Sequence, residues 1–240
     1  FASAGVPVSD AEIRRPMGLE KRRHLQEMLA DPHIGRRWHA TRGAAPSDGD
    51  IDLLHRAFDE HLNATVAGFA RPVPGLRETV AALRAKGIAI GSNTGYSPRA
   101  MSILAPAARE FGFEPDCIVT PSDVAAGRPA PDLSWKCLDL LGLAHDTDAI
   151  KVDDTVSGIE EGRNAGLWTV AVAISGNEAA LSYEQWQSLT STERQGVRSR
   201  ATAKLRAANP DYVIDSVAQL AETVDTIERR IASGERPPAR

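Results

Sequence analysis

The stretch Ala149-Ile150-Lys151-Val152-Asp153-Asp154-Thr155-Val156-Ser157-Gly158-Ile159-Glu160-Glu161-Gly162-Arg163-Asn164-Ala165-Gly166 decides how the whole chain is read. It opens as a short apolar strand, Ala149 to Val152. Two adjacent carboxylates, Asp153 and Asp154, break that strand. Thr155 and Ser157 are good helix-start residues, Ile159 opens a helical segment, and Ala165-Gly166 closes it. The acids are therefore predicted just after the carboxyl end of a strand. In an open parallel α/β sheet, ligands bind there. Two neighbouring carboxylates repel each other, and a divalent cation relieves that repulsion. Hard oxygen ligands with room for water and phosphate suit Mg²⁺. The bland alternative is a solvated acidic pair at a helix N-terminus, where negative charge is favourable anyway.

Outward from this stretch, helix and strand alternate. On its amino-terminal side, a helix over 76–86 ends at Gly87, and Ile88 to Gly91 is a buried strand followed by a polar turn, Ser92 to Tyr96. Ser97-Pro98 starts the next helix, Cys117 to Thr120 is a strand, and a loop over Val124 to Pro131 leads into a helix ending at Gly142. On the carboxyl side come a strand, Trp168 to Ile174, a polar helix-rich region over 178–208, a strand, Asp211 to Asp215, and a helix closing near Ile231. The tail Gly234 to Arg240 is expected to be loose. Repeated strand–helix units imply a parallel sheet with helices on both faces.

The first portion has no strand signal. Residues 9–30 read as helical, capped by Ser9 or Asp10 with Glu12 behind, and interrupted by Pro16. Residues 47–67 form an amphipathic helix with Ile51, Leu54, Phe58, Leu62 and Val66 on one stripe. A Gly-, Ala- and Pro-rich link, Arg42 to Ser47, separates them, and Gly68 to Gly75 reads as an extended linker or hinge. Two domains follow: a helical one over 1–70 and an α/β core over 71–240.

Composition narrows the function. The 240 residues carry a formal charge of −4, with 42% apolar and 25% charged residues, ordinary for a globular protein without a nucleic-acid partner. No apolar run approaches a membrane span and no secretory signal appears. Cys117 and Cys137 have no metal-like spacing. One disulfide is conceivable; reduced core thiols of a cytoplasmic protein are the expectation. The chain starts at Phe1 without an initiator Met, and Gly5 reads as the end of a helix already in progress, so an amino-terminal segment is expected upstream.

Three strand ends or following loops carry polar groups: Thr94, Arg128 and the pair Asp153/Asp154. A hydroxyl and a cation can hold phosphoryl oxygens while two acids hold Mg²⁺. In the helical portion, Lys21 lies four residues after Met17, so both share a helix face if the helix continues, and Arg22, Arg23 and His24 follow it. If Lys21 is buried, desolvation and these like charges lower its pKa and make it a usable amine nucleophile. Otherwise it belongs to a solvated basic helix face.

The order of these groups resembles the haloacid dehalogenase-like superfamily of phosphotransferases, in which a strand-end Thr or Ser, a Lys or Arg before a Pro, and an acidic motif follow one another. The helical portion looks like the cap those enzymes insert after their first strand. More narrowly, M-G-L-E-K at 17–21, G-S-N-T-G-Y at 91–96, G-R-P-A-P at 127–131 and D-D-T…E-G-R-N-A-G-L-W-T-V at 153–170 resemble the phosphonoacetaldehyde hydrolase (phosphonatase) family over essentially the whole chain. That resemblance implies a Rossmann-like parallel-sheet core with an α-helical cap domain. It implies hydrolysis of the carbon–phosphorus bond of phosphonoacetaldehyde to acetaldehyde and phosphate, in 2-aminoethylphosphonate degradation. Lys21 would form an imine with the aldehyde, Thr94 and Arg128 would bind the phosphoryl group, and Asp154, with Asp153, would hold Mg²⁺. Met17, His24 and Tyr96 would line the site. A cytoplasmic homodimer is implied as well.

Two departures from the family pattern stand out. The Asp-Trp-Ala-Gly-Thr-like motif that carries the family's nucleophile is expected a short way upstream of Phe1, so residues 1–240 alone are expected to be incompetent for turnover. Some family members also place a second acid where Gly158 stands here, and have Gly in place of Asp153. Two other readings are a phosphate-ester phosphatase or mutase of the same superfamily, in which Lys21 is incidental, and a catalytically incompetent truncated form.

Overall fold

The computed structural model describes residues 1–237. A single 3₁₀ turn, Ala2–Ala4, closes at Gly5. Helix α1 (Asp10–Arg14) begins at Ser9, which forms a capping box with Glu12. Beyond Arg14 the chain turns, with Gly18 at φ +95°, a conformation that only glycine adopts readily. Helix α2 (Lys21–Ala30) then starts afresh, Glu20 accepting from the backbone N–H groups of Arg22 and Arg23. The expectation that Met17 and Lys21 share one helix face is therefore corrected: Pro16 and Gly18 break the helix, and Lys21 is the first residue of the next one. Helix α3 (Pro32–Arg42), which the sequence analysis left unassigned, is started by Asp31 and Pro32 and stopped by Gly43. Helix α4 (Asp48–Thr65) is capped by Ser47.

These helices have a core of their own, built from Val6, Leu25, Met28, Leu29, Ile34, Trp38, Ile51 and Leu54. Each such fully buried aliphatic side chain contributes about 1.5–3 kcal/mol relative to exposure. After α4 the backbone does not become extended at Gly68. Val66–Phe69 forms a 3₁₀ turn containing it, so the looser connection shortens to residues 70–75. At its end Gly75 has φ +86°, and an added Cβ would lie 2.5 Å from that of Ala218.

The α/β portion follows as α5 (Leu76–Ala85), β1 (Gly91–Asn93), α6 (Pro98–Glu110), β2 (Cys117–Val119), α7 (Asp132–Leu140), β3 (Ile150–Asp153), α8 (Val156–Ala165), β4 (Trp168–Val172), α9 (Tyr183–Ser188), α10 (Ser191–Arg206), β5 (Tyr212–Ile214) and α11 (Leu220–Ala232). The first strand is displaced from the expected Ile88–Gly91. Ile88 and Ile90 do pack into the core, but the Ile90 N–H donates to the Asp116 carboxylate at 2.7 Å. The ladder begins only at Gly91, opposite Cys117, and includes Ser92 and Asn93, which had read as turn.

All strand pairings are parallel, as expected, but they form two ladders among the described residues: β1 with β2, and β3–β4–β5 in that order. β4 is buried along its length and alternates between two faces. Trp168, Val170 and Val172 meet Leu83 of α5 and Leu220, Val224 and Ile227 of α11. Ala171 and Ala173 meet Ile159 of α8 and Val197, Ala201 and Leu205 of α10. The period-two alternation thus buries both faces beneath helices.

The tail differs from expectation as far as it is described: Glu235 pairs with Arg230 at 2.9 Å and Arg236 with Asp148 at 2.7 Å. Residues 238–240, the end of the segment expected to be loose, lie outside the described residues. Cys117 and Cys137 are free thiols. No helix among the described residues is long and apolar enough to cross a membrane.

Candidate active site

The acidic pair sits at the end of β3 and the start of α8. Thr155 caps α8, its side chain accepting from the Gly158 N–H at 3.1 Å. The two acids occupy different surroundings. Asp153 Oδ1 accepts from the backbone N–H groups of Asp154 and Thr155 and from Thr155 Oγ1, at 2.8 to 3.0 Å. Its Oδ2 lies 3.1 Å from Arg128 Nη2 and 3.5 Å from Lys151 Nζ. Those cations and hydrogen bonds hold the Asp153 carboxyl below the usual range against its burial. Among the described residues Asp154 Oδ2 accepts only from the Asn177 N–H, at 2.7 Å. Burial, and next the charge of Asp153, push the Asp154 carboxyl up to about 6.

Arg128 is brought in by the loop before α7 and is buried. Its Nε donates to Glu161 Oε2 at 2.8 Å, and its Nη2 donates to Asn93 Oδ1 at 2.7 Å. Thr94 follows β1; its N–H donates to the Val119 carbonyl and its Oγ1 accepts from the Tyr96 N–H, both at 3.1 Å. Three residues that the sequence reading did not single out join this centre: Asn93, Lys151 and Glu161. Lys151 carried a signal, because a cation between Ile150 and Val152 in a buried strand needs a partner. Glu161 on α8 carried none beyond its helical position.

The helical domain supplies the second half. Lys21 Nζ lies 5.5 Å from the Tyr96 ring centroid and 6.0 Å from that of Phe58, within cation–π range. Phe58 had been read only as part of a core stripe. The Lys21 amine is held below the ordinary lysine range first by burial and then by the charge of Arg128. The sequence reading gave that second role to Arg22, Arg23 and His24. Instead Arg22 pairs with Asp52 at 2.9 Å, and Arg23 approaches Glu27. The buried His24 imidazole is pushed down to about 4, by burial and then by Lys21. It is neutral at neutral pH, and among the described residues its Nδ1 has no hydrogen-bond partner. Burial, then the charge of Asp154, raises the Tyr96 phenol, which therefore stays protonated. Met17 lies in the turn before α2, its N–H bonded to the Arg14 carbonyl.

Glycines seat the two halves on each other. A Cβ on Gly18 would lie 2.6 Å from Thr155 Oγ1 and nearer still to Ser157 Oγ, and one on Gly95 would lie 3.1 Å from the Leu19 carbonyl oxygen. The 17–21 loop thus rests directly on the start of α8 and on the 94–96 turn. Arg14 adds a polar contact, donating to the Asn177 carbonyl at 3.2 Å and to Asn177 Oδ1 at 3.3 Å. Asn177 is the residue whose N–H holds Asp154. A separate cavity of about 420 Å³ within the helical domain, lined by Glu12, Arg15, Leu19, Glu27, Met28 and Asp31 among others, contains none of these site residues.

Gly158 explains the second departure noted in the sequence. A Cβ there would overlap Asp153 Cγ and both its carboxylate oxygens. The Asp153 carboxylate occupies the space that a side chain from position 158 would enter, so an acid at one position excludes a side chain at the other.

Among the described residues no cluster of three or more His, Cys, Asp or Glu side chains is arranged to hold a metal. The donor chemistry nevertheless fits a hard divalent cation. Mg²⁺ is commonly held by one or two carboxylates together with waters and substrate phosphate. Asp154, which among the described residues has one oxygen uncommitted and no cation in ion-pair contact, is the carboxylate suited to it. Asp153 is already engaged by Arg128 and Lys151.

A parallel α/β core with a helical domain closed over strand-end acids, an arginine and a threonine defines a phosphotransferase of the capped α/β class. A family model for haloacid dehalogenase-like hydrolases matches residues 1–166. Within that class, a phosphonoacetaldehyde hydrolase of Paraburkholderia xenovorans is 42% identical over 237 residues, covering 99% of this chain and 89% of that one. One from Vibrio cholerae is 42% identical over 231 residues, covering 96% and 85%. The crystal structure of a phosphonoacetaldehyde hydrolase-like protein from Oleispira antarctica superposes with a TM-score of 0.96 at 43% identity, over 99% of this chain and 86% of that one. The chain belongs to the phosphonoacetaldehyde hydrolase family of haloacid dehalogenase-like hydrolases.

Proposed function

We propose that this protein hydrolyses the carbon–phosphorus bond of phosphonoacetaldehyde to acetaldehyde and phosphate, through an imine on Lys21. The observation that carries the reading is the placement of Lys21: a partly buried amine of lowered basicity, on the cap, facing Tyr96 and within the field of Arg128. A carbon–phosphorus bond has no oxygen leaving group, so its cleavage needs an electron sink on carbon. The Lys21 amine adds to the aldehyde, water is lost, and the protonated imine accepts the electron pair of the breaking bond. The resulting enamine is protonated on carbon and hydrolysed, which frees Lys21 and acetaldehyde. His24, neutral and with no hydrogen-bond partner on Nδ1 among the described residues, lines the imine site beside Lys21. Tyr96, Phe58 and Met17 keep water from the imine.

Thr94 and Arg128 bind the transferring phosphoryl group. Mg²⁺, held by Asp154 with Asp153 nearby, supplies neutralisation of phosphoryl charge when bound. The phosphoryl group passes to the aspartate of the family's Asp-Trp-Ala-Gly-Thr-like motif rather than to Asp153 or Asp154, and water hydrolyses the resulting acyl phosphate to release phosphate. The cytoplasmic homodimer carried over from the family belongs to the same proposal, and sedimentation of the purified protein tests its dimeric part.

Borohydride trapping tests the central claim. Incubation with phosphonoacetaldehyde and borohydride should leave a reduced adduct on the peptide containing Lys21, detected by mass spectrometry. Lys21→Arg should abolish it, because a guanidinium does not form the imine. An adduct on another lysine, or phosphate release from phosphonoacetaldehyde by a Lys21→Arg variant undiminished from that of its active parent, would overturn the reading and favour an ordinary phosphate-ester phosphatase.

A further inference from the structure

Behind Arg128 lies a buried layer of charge that the chemistry above does not use. Glu161 is fully buried, and both its oxygens are occupied. Oε2 accepts from Arg128 Nε at 2.8 Å and from Lys151 Nζ at 3.0 Å. Oε1 accepts from Asn93 Nδ2 at 2.7 Å and from Ser134 Oγ. Lys151 Nζ also donates to Asn93 Oδ1 at 2.6 Å, the oxygen that accepts from Arg128 Nη2. Four separate segments, β1, the loop before α7, α7 and β3, thus converge on one carboxylate, and every group facing it is a donor.

The charge count is informative. If Glu161 served only to neutralise Arg128, one cation would suffice. Lys151 is a second buried cation against the same oxygen, and Asp153 is a second anion against both. The two positive charges balance the two negative ones without Arg128 being consumed by Glu161. Geometry points the same way. Arg128 is gripped through Nε and Nη2, and Nη1 makes no hydrogen bond among the described residues. A buried guanidinium fixed on two nitrogens presents the third in one direction, which is what in-place recognition of a phosphoryl oxygen needs. Gly162 makes the arrangement possible: a Cβ there would lie 3.0 Å from Thr169 Cγ2 and nearer still to the Lys151 side chain, so α8 can press Glu161 down onto β3.

We propose that Glu161 and Lys151 are positioning residues for phosphoryl transfer, clamping Arg128 so that its free Nη1 edge faces the phosphoryl group. This rests on the reading that Arg128 binds that group. The test pairs two measurements on Glu161→Gln, Lys151→Met and the double variant: inorganic phosphate binding by calorimetry with Mg²⁺ present, and borohydride trapping at Lys21. Glu161→Gln keeps the volume but must turn an N–H₂ toward a ring of donors. Lys151→Met removes the second cation. Each single variant should weaken phosphate binding about tenfold or more, the usual effect of removing a partner that orients a ligand-binding group, while the Lys21 adduct still forms.

The double variant removes one charge of each sign. It should regain thermal stability lost by the singles yet keep the weak phosphate binding, and it decides the matter if the singles do not fold. Phosphate binding restored together with stability would reduce the cluster to charge balance and overturn the inference, as would single variants that bind phosphate like the parent. Arg128→Met separates the two levels. If it weakens phosphate binding and Glu161→Gln does not, only the clamp fails. If Arg128→Met itself binds phosphate normally, the underlying reading of Arg128 fails.

Discussion

Gly158→Ala should be strongly destabilising, although it replaces a helix-interior glycine by the best helix former. On an ordinary helix that exchange stabilises by about 0.8–1 kcal/mol. Here the new methyl would take the place of the Asp153 carboxylate. That carboxylate accepts three hydrogen bonds from residues 154 and 155 and faces Arg128 and Lys151, in a cluster whose side chains are 7–9% exposed. Displacing it leaves buried cations short of a partner, a loss of roughly 3–5 kcal/mol. After the helix gain the net loss is about 2–4 kcal/mol. For a chain of this size each kcal/mol moves the thermal midpoint by roughly 2–4 °C, so the expected fall is about 4–16 °C. On an Asp153→Gly background the obstruction is gone, and Gly158→Ala should be neutral or mildly stabilising. The double-mutant cycle should therefore show a favourable coupling of about 2 kcal/mol or more. Urea unfolding of the four proteins measures it. A Gly158→Ala protein as stable as its parent, or losses that simply add, would refute the claim that positions 153 and 158 share one space.

Further outcomes follow from the same geometry. Asp154 titrates near 6 in the fold but near 3.8 when unfolded, so between those values the folded state keeps a proton that the unfolded state has lost, and this group's contribution to stability falls as pH rises through that window. Mg²⁺ needs the carboxylate form, so the rise in melting temperature on adding Mg²⁺ should be larger at pH 7.5 than at pH 5; equal shifts, or the same shift in Asp154→Asn, would contradict the assignment. Lys21→Met should raise the His24 pKa from about 4 without reaching 6.5, because burial, the larger cause, remains; imidazole proton resonances report it, and an unmoved titration would separate the two side chains. Gly18→Ala, strained at φ +95° and driven into Thr155 and Ser157, should lift the 17–21 loop and slow imine trapping about tenfold or more, since small displacements of reacting groups are expensive; trapping at the parental rate with the helical domain intact would show that this contact does not seat the cap.

Much of the fold was legible because its signals are local. Ser9, Ser47, Ser97 and Thr155 cap helices through hydrogen bonds to residues three positions on, and Gly87, Gly142 and Gly166 adopt the left-handed conformation that ends them. The repeated strand–helix units pointed to a parallel sheet covered on both faces. The errors arose where a distant partner overrode a local preference. Ile88 to Ile90 is the more apolar segment, yet pairing begins at Gly91 because Asp116 takes the Ile90 N–H. Gly68 reads as a breaker, yet it is held in a 3₁₀ turn that packs against α6.

The candidate site divides the same way. Residue types at spaced positions raised Thr94, Arg128, Asp153 and Asp154 as candidates, since each chemistry admits few side chains, whereas Lys21 was singled out by the family resemblance. Their environments were not readable. What depresses the Lys21 amine is burial and Arg128, which is far away in the chain, rather than the adjacent Arg22 and Arg23, whose charges point to Asp52 and Glu27. Which acid stays free for a cation depends on Arg128 and Lys151 both turning to Asp153. Glu161 looks like any helix-surface acid until α8 is pressed onto β3. Sequence determines which groups are available and where helices start and stop, because those are matters of side-chain chemistry and hydrogen bonds within a turn. Burial, the field of Arg128 on Lys21 across 107 residues, and the pairing of Arg128 with Asp153 and Glu161, 25 and 33 residues away, arise only when the chain is packed, and those decided the protonation and orientation of the charged groups in the site.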